Sequence, residues 1–121
     1  MALLHGNADP DALASAFAVQ SCFPDVTIWT PGGTDRMAKE MTRSLGITIS
    51  ESPERPDGTL LVLDTSGPEQ LPEGIDFSDA IVVDHHSRTD RWASARVYYC
   101  DDSKSSCSEI VLELLRAAGK R

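Results

Sequence analysis

The sequence predicts a single α/β domain in which helices flank a mainly parallel β-sheet. Short apolar runs alternate along the chain with longer amphipathic segments, as strands alternate with crossover helices in this fold class. The runs "TLLVLD" (59–64) and "AIVVDHH" (80–86) are continuously apolar before they turn polar, which is typical of strands covered on both faces. The 121 residues suit one domain, so 1–121 is taken as one unit.

The first part of the chain predicts a strand, a helix and a second strand. "ALLH" (2–5) has the character of a short buried strand, and "DALASAFAVQSCF" (11–23) has the apolar spacing of a helix. Pro10 suits the first position of that helix, which makes Asp9 its N-cap. The run "DVTIWT" (25–30) is rich in β-forming residues and predicts the second strand.

A second helix is predicted over 34–46, followed by a short strand at 47–50. Met37, Met41 and Leu45 recur every four residues, and this spacing predicts an apolar face on the helix. A polar loop with two prolines and a glycine then leads to the next strand.

The remainder of the chain continues with the two apolar strands, 59–64 and 80–86, and a further strand at 94–99. The last helix is predicted over 105–119. Its start is marked by Ser106, the first residue of an S-x-x-E capping box.

The composition excludes several classes of protein. A net charge of −8 argues against the broad basic face with which proteins bind nucleic acid diffusely. No apolar run is long enough to span a bilayer, so no membrane partner is expected. The three cysteines are odd in number and form no CxxC pattern, and the N-terminus carries no secretion signal. These features predict a cytoplasmic protein.

Ionisable side chains follow three of the predicted strands at the point where each strand ends. His5, Asp64 and the triplet Asp84, His85 and His86 each close an apolar run. Because parallel strands point the same way, we expect these side chains at one edge of the sheet. Open α/β sheets bind their ligands at that edge.

Asp9 and Asp11 add two carboxylates at the same edge. Each has a simpler explanation, Asp9 as an N-cap and Asp11 as a favourable charge in the first helical turn. Carboxylates clustered this closely repel one another unless cations intervene, which favours a metal site. Mixed Asp and His ligands suit Mn²⁺ or a similar divalent ion better than structural Zn²⁺. Two ions that share a bridging carboxylate are a known device for phosphoester hydrolysis.

Four motifs resemble those of the DHH phosphoesterases, in the family's order and spacing. They are "HGNADPDALAS" (5–15), "LVLDTS" (61–66), "VVDHHS" (82–87) and "SSCSEIVLELL" (105–115). The resemblance implies a DHH domain of a hydrolase that holds two Mn²⁺ ions, with Mg²⁺ or Co²⁺ as alternatives. Such enzymes cut phosphoester or phosphoanhydride bonds by attack of metal-activated water. They include RecJ-type exonucleases, nanoRNases, cyclic dinucleotide phosphodiesterases and some pyrophosphatases.

The resemblance also implies metal ligands by position. His5 and Asp9 would hold one ion, and Asp11 and His85 would hold the other. Asp64 would bridge both ions.

The same resemblance implies roles around the substrate. His86 would contact the scissile phosphate or orient the water, and Asp84 would brace the two histidines. Arg88 lies just past the triplet and is either a phosphate contact or a surface arginine. Ser106, at the start of a helix, is either a phosphate donor or an N-cap alone.

In the family a sixth ligand, an aspartate, lies on a later strand, and a smaller substrate domain, DHHA1, follows; we expect this chain to lack both. The resemblance implies a phosphodiesterase that acts on short oligonucleotides, single-stranded nucleic acid or dinucleotides. The alternative is a catalytically weak module that binds metal or nucleotide, and the simplest alternative is a scaffold whose acids and histidines only cap helices and strands. The absence of the second domain would expose apolar surface, which favours a homo-oligomer.

Overall fold

A computed structural model of the chain describes residues 1–87 and 89–119. In chain order the elements are β1 (Ala2–Leu4), α1 (Pro10–Cys22), β2 (Ile28–Trp29), α2 (Arg36–Leu45), β3 (Ile49–Ser50), β4 (Leu61–Leu63), a 3₁₀ turn (Pro68–Gln70), β5 (Ile81–Asp84), β6 (Val97–Cys100) and α3 (Cys107–Ala117). The six strands form one sheet in the order β3-β2-β1-β4-β5-β6, and every neighbouring pair is parallel. The predicted α/β class is thus confirmed.

The strand order reverses at the centre of the sheet. From β1 the chain moves outward through β2 to β3, and from β4 it moves outward in the opposite direction through β5 to β6. The carboxyl ends of β1 and β4 therefore lie side by side with crossover connections leading away from both. In doubly wound sheets this reversal opens the crevice in which ligands bind.

Successive residues of each strand face opposite sides of the sheet and feed two separate cores. Ala2 and Leu4 pack on one side with the buried faces of all three helices. Leu3 packs on the other side, where loop residues such as Leu71 and Trp92 take the place of helices. The expectation of flanking helices is thus met on one face, while loops cover the opposite face.

The apolar face predicted for α2 is wrong in its orientation. Met37 and Leu45 are 69% and 57% exposed, and the helix packs through Ala38 and Met41 instead. A spacing of four residues drifts by about 40° per step around a helix, so three such positions do not stay on one narrow face. The strands are also shorter than predicted; β4, for example, spans Leu61–Leu63 where the sequence predicts 59–64.

The helix caps agree with the sequence prediction. Asp9 is the N-cap of α1, and its Oδ1 accepts a hydrogen bond of 2.9 Å from the Ala12 N–H. Ser106 is the N-cap of α3, and its hydroxyl accepts one of 3.3 Å from the Glu109 N–H. The returning arm of the capping box differs, since the Glu109 carboxylate accepts from the Ser105 hydroxyl.

The loop that follows β1 is held in place by the loop that follows β2. Asn7 and Ala8 donate backbone hydrogen bonds of 3.0 Å to the carbonyls of Gly32 and Gly33, and Asp35 donates one of 2.8 Å to the Ala8 carbonyl. These bonds fix the short segment that joins β1 to α1. The two loops touch so closely that a Cβ on Gly32 would stand 2.5 Å from the Gly6 Cα.

None of the helices in the described residues has the length and apolar character that a membrane crossing requires.

We predict that Gly32→Ala destabilises the fold by about 1–3 kcal/mol, because the added methyl group would overlap the Gly6 backbone and push the two loops apart. Gly6→Ala is the matched control, since a Cβ there meets its nearest neighbour at 4.0 Å, an ordinary contact distance. Urea unfolding of both variants measures the difference. Equal stability of the two variants would contradict the close approach.

Candidate metal centre

The ionisable side chains predicted to converge come from three strand ends and one helix start. His5 follows β1, Asp64 follows β4, and His85 follows β5 directly. Asp9 and Asp11 enter from the first residues of α1, which begins beside the same edge. Since β1, β4 and β5 are neighbours and parallel, residues distant in sequence meet at the point where the strand order reverses.

One group of potential ligands consists of His5, Asp9 and Asp64. One ligand atom from each of these residues lies within 4.8 Å of the others. The alternative explanation of Asp9 as a cap alone describes only part of its surroundings. Its carboxylate caps α1 through Oδ1 and also stands beside Asp64.

A second group gathers around His85. Its Nε2 lies 3.2 Å from Asp64 Oδ1 and 3.7 Å from Asp11 Oδ2. His86 also belongs here, because one ligand atom from each of Asp64, His85 and His86 lies within 4.8 Å of the others. Asp64 is therefore common to both groups.

Asp64 is the most constrained residue of the site. It is only 3% exposed, and its Oδ1 makes no hydrogen bond within residues 1–87 and 89–119. Its backbone adopts φ 58°, a left-handed conformation that is unfavourable for most non-glycine residues. Burial first, and then neighbouring carboxylates led by Asp11, raise the pKa of Asp64 to about 8.

The residues present fit a divalent cation. A buried carboxylate oxygen that forms no hydrogen bond in the described residues and stands among further carboxylates and imidazoles has the donor chemistry of a Mn²⁺, Fe²⁺ or Co²⁺ site rather than of a thiolate Zn²⁺ site. A cation placed there would balance the negative charge of the carboxylates. Within the described part of the chain, no lysine or arginine side chain pairs with Asp64.

Asp84 and His86 form a separate pair at the end of β5. Asp84 is fully buried, and its Oδ1 lies 2.6 Å from His86 Nδ1. The sequence prediction had Asp84 brace both histidines. The structure instead pairs Asp84 with His86, while His85 turns its Nε2 toward Asp11 and Asp64. The two imidazole rings remain adjacent, with centroids 4.4 Å apart.

Asp11 has a partner that sequence reasoning missed. Its Oδ2 accepts a hydrogen bond of 2.9 Å from the Cys107 N–H, and its Oδ1 accepts one of 3.0 Å from the Ser108 N–H. Both donors belong to the first turn of α3. Ser106, which the sequence predicts as a phosphate donor or as an N-cap alone, is the N-cap of α3. The next two N–H groups, those of Cys107 and Ser108, hold Asp11.

Arg88, predicted as a possible phosphate contact, lies outside the described residues. The loop carrying Gly32 is a second feature that the sequence did not reveal. A Pro-Gly-Gly run signals a tight turn, but one sequence does not show which loop that turn will touch.

We predict that Asp64→Asn stabilises the metal-free chain at pH 8 by at least about 2 kcal/mol, since each unit of pKa difference is worth about 1.4 kcal/mol. The folded-state pKa of Asp64 is raised to about 8, whereas the ordinary value is 3.8. Stability of the parent chain is therefore lost as pH rises from about 4 through 8.

Urea unfolding with a chelator present, at pH 5 and pH 8, measures this effect. The variant should lose most of that pH dependence, while Asp102→Asn, which removes an exposed carboxylate, should stay within about 0.5 kcal/mol of the parent chain. Identical pH profiles for Asp64→Asn and the parent chain would contradict the assigned environment of Asp64.

Comparison with solved structures shows the same fold in larger proteins. An exopolyphosphatase-related protein from Bacteroides fragilis superposes with a TM-score of 0.72 at 22% identity, covering 98% of this chain and 39% of that one. A candidate family II inorganic pyrophosphatase from Methanococcus jannaschii superposes with a TM-score of 0.75 at 22% identity, covering 97% of this chain and 38% of that one.

Sequence comparison adds a relative and a family. An uncharacterized protein of Methanocaldococcus jannaschii is 29% identical over 126 residues, which cover 94% of this chain and 37% of that protein. The chain thus spans less than two fifths of the length of these relatives. The family model described as "DHH family, N-terminal domain" matches residues 1–121. Because this match covers the whole length of the chain, the chain belongs to the DHH family.

Proposed function

We propose that this chain carries the hydrolytic centre of a phosphoesterase that depends on two divalent ions, Mn²⁺ by preference. The substrates we propose are short oligonucleotides, single-stranded nucleic acid or dinucleotides. The observation that carries the proposal is Asp64, a buried carboxylate common to two groups of potential ligands and left without a hydrogen bond at Oδ1.

The ligands divide between the two positions as follows. His5 and Asp9 would hold the first ion, Asp11 and His85 would hold the second, and Asp64 would contact both. The ions would supply Lewis acidity at the phosphate oxygens and lower the pKa of the attacking water. Metal binding would give Asp9 and Asp11 a role beyond capping the helix and placing a favourable charge in its first turn.

The Asp84–His86 pair has a different role in the proposal. In the proposal, Asp84 Oδ1 accepts a hydrogen bond from His86 Nδ1. This bond fixes the orientation of the ring and leaves Nε2 as the nitrogen available to substrate. A histidine held in this way can donate a proton or a hydrogen bond to a phosphate oxygen. The His86 side chain is 45% exposed, so a substrate can reach it.

A second substrate class is a phosphoanhydride such as pyrophosphate or polyphosphate. It is favoured by the two structural relatives, one related to exopolyphosphatases and the other a candidate pyrophosphatase. The chemistry at the metal centre is the same for both classes, so substrate choice depends on residues farther from it. A reducing cytoplasm suits this function, because none of the three cysteines, all of which lie in the described residues, forms a disulfide.

We predict that calorimetric titration of Mn²⁺ into the metal-free chain gives two sites, and that Asp64→Asn weakens both. A carboxylate that contacts two ions cannot be replaced by a neutral amide at either position without loss. Asp102→Asn changes the net charge equally at an exposed position and is expected to retain both sites.

One weak site, or none, in the parent chain would refute the two-ion centre. When two sites are present, hydrolysis of a dinucleotide, a pentanucleotide, pyrophosphate and tripolyphosphate identifies the substrate class. Turnover of the nucleotides supports the proposal, and turnover of the anhydrides alone supports the second class. Nucleotide binding without turnover of any substrate identifies a binding module.

We predict that Asp84→Asn lowers kcat by about 10- to 100-fold while both Mn²⁺ sites remain. The amide keeps the shape of the side chain but no longer gives His86 a charged acceptor at its Nδ1. Steady-state kinetics beside Mn²⁺ calorimetry separate the two effects. Unchanged kcat would remove Asp84 from the catalytic group, and loss of metal would make it part of the ion site.

A further inference from the structure

We infer that the first turn of α3 is a positioning element for Asp11, so that the second metal position depends on the docking of α3. This inference rests on the proposed function for the statement that Asp11 is a ligand. The contact itself is independent of any ion. It joins Asp11 to residues 96 and 97 positions later in the chain.

Two consecutive backbone N–H groups donate hydrogen bonds to the two oxygens of the Asp11 carboxylate. Cys107 N–H donates to Oδ2 at 2.9 Å, and Ser108 N–H donates to Oδ1 at 3.0 Å. Paired bonds of this kind fix both the position and the rotation of the carboxylate plane. Bonds from N–H groups to a charged acceptor are also stronger than those between neutral groups.

The donors are available because a helix leaves its first N–H groups without partners. In α3 the Ser106 hydroxyl accepts from the Glu109 N–H, which lies one position beyond the two that hold Asp11. Asp11 therefore completes the capping of α3 from another helix. The positive end of the helix dipole further favours a carboxylate at this position.

The start of α3 is itself fixed against β5. Cys107 and Ile110 are buried in the core beneath α1, and the Cys107 thiol donates to the Val83 carbonyl at 3.4 Å. Val83 lies two residues before His85. The contacts of α3 thus set the position of Asp11 relative to the strand that carries His85, whose Nε2 lies 3.7 Å from Asp11 Oδ2.

This arrangement has a consequence for only one of the two ions. Each carboxylate oxygen has two lone-pair directions, so the bonds from α3 leave one direction on each oxygen of Asp11 for a cation. Loss of a donor would let the carboxylate rotate and would weaken the second position. The two bonds from α3 do not reach His5 or Asp9, the residues proposed for the first position alone, whose hydrogen bonds run to Gly6 and Ala12.

Cys107→Pro removes one donor, and Cys107→Ala is its matched reference. Both substitutions delete the thiol, but alanine keeps the N–H. Proline is tolerated at the first position of a helix, and the preceding Ser106 is already extended, at φ −155° and ψ 154°, as a residue before proline must be. Circular dichroism and thermal unfolding check that both variants keep the fold.

In Mn²⁺ calorimetry we expect Cys107→Pro to weaken one of two sites by about 10- to 100-fold relative to Cys107→Ala and to leave the other site unchanged. Equal affinities in the two variants would overturn the inference. Weakening of both sites to the same extent would also overturn it, because that result indicates general damage. Absence of two sites in the parent chain would refute the proposed function instead.

Amide hydrogen exchange in the metal-free protein tests the contact without any ion and without the proline variant. Asp11→Ala should speed exchange at the Cys107 and Ser108 amides by about tenfold or more, and should affect the Glu109 amide much less, since Ser106 accepts from that group. Unchanged exchange at Cys107 and Ser108 would overturn the inference, whatever the metal titration gives.

Discussion

A buried carboxylate surrounded by further carboxylates and imidazoles is the constraint around which the site is organised. Asp64 lies where β4 ends, in a left-handed backbone conformation and almost without solvent exposure, and carboxylates of α1 stand beside it. Such an arrangement lowers the stability of the metal-free protein, because burial and repulsion both oppose the charged form. A pair of divalent ions, as proposed, would turn the same arrangement into a favourable one. The local instability is thus the structural counterpart of the proposed function.

The fold holds this cluster together largely through strand pairing and backbone hydrogen bonds. Parallel strands bring His5, Asp64 and His85 to one edge, and the reversal of strand order opens that edge to a ligand. The loop containing Gly32 fixes the segment between β1 and α1 by backbone hydrogen bonds. The first turn of α3 fixes Asp11 in the same manner. Backbone groups therefore do much of the positioning, and their contribution is insensitive to side-chain identity except where a close approach demands glycine.

The sequence predicted the sheet, the convergence of the ionisable residues and the caps at Asp9 and Ser106, since each of these follows from local patterns and from the common direction of parallel strands. Long-range contacts were not predictable in this way. Nothing local to Asp11 indicates that its carboxylate meets the Cys107 and Ser108 N–H groups, and nothing local to Gly32 indicates that it faces another loop. The prediction of which face of α2 is buried failed for a related reason. Short amphipathic helices offer several nearly equivalent faces, and tertiary packing selects among them.

Anomalous diffraction at the manganese edge, from crystals of the chain grown with Mn²⁺, tests directly whether Asp64 contacts two ions at once. We expect two anomalous peaks, one beside His5 and Asp9 and the other beside Asp11 and His85, with an Asp64 oxygen in ligand contact with each. A single peak, or two peaks of which only one contacts Asp64, would contradict it.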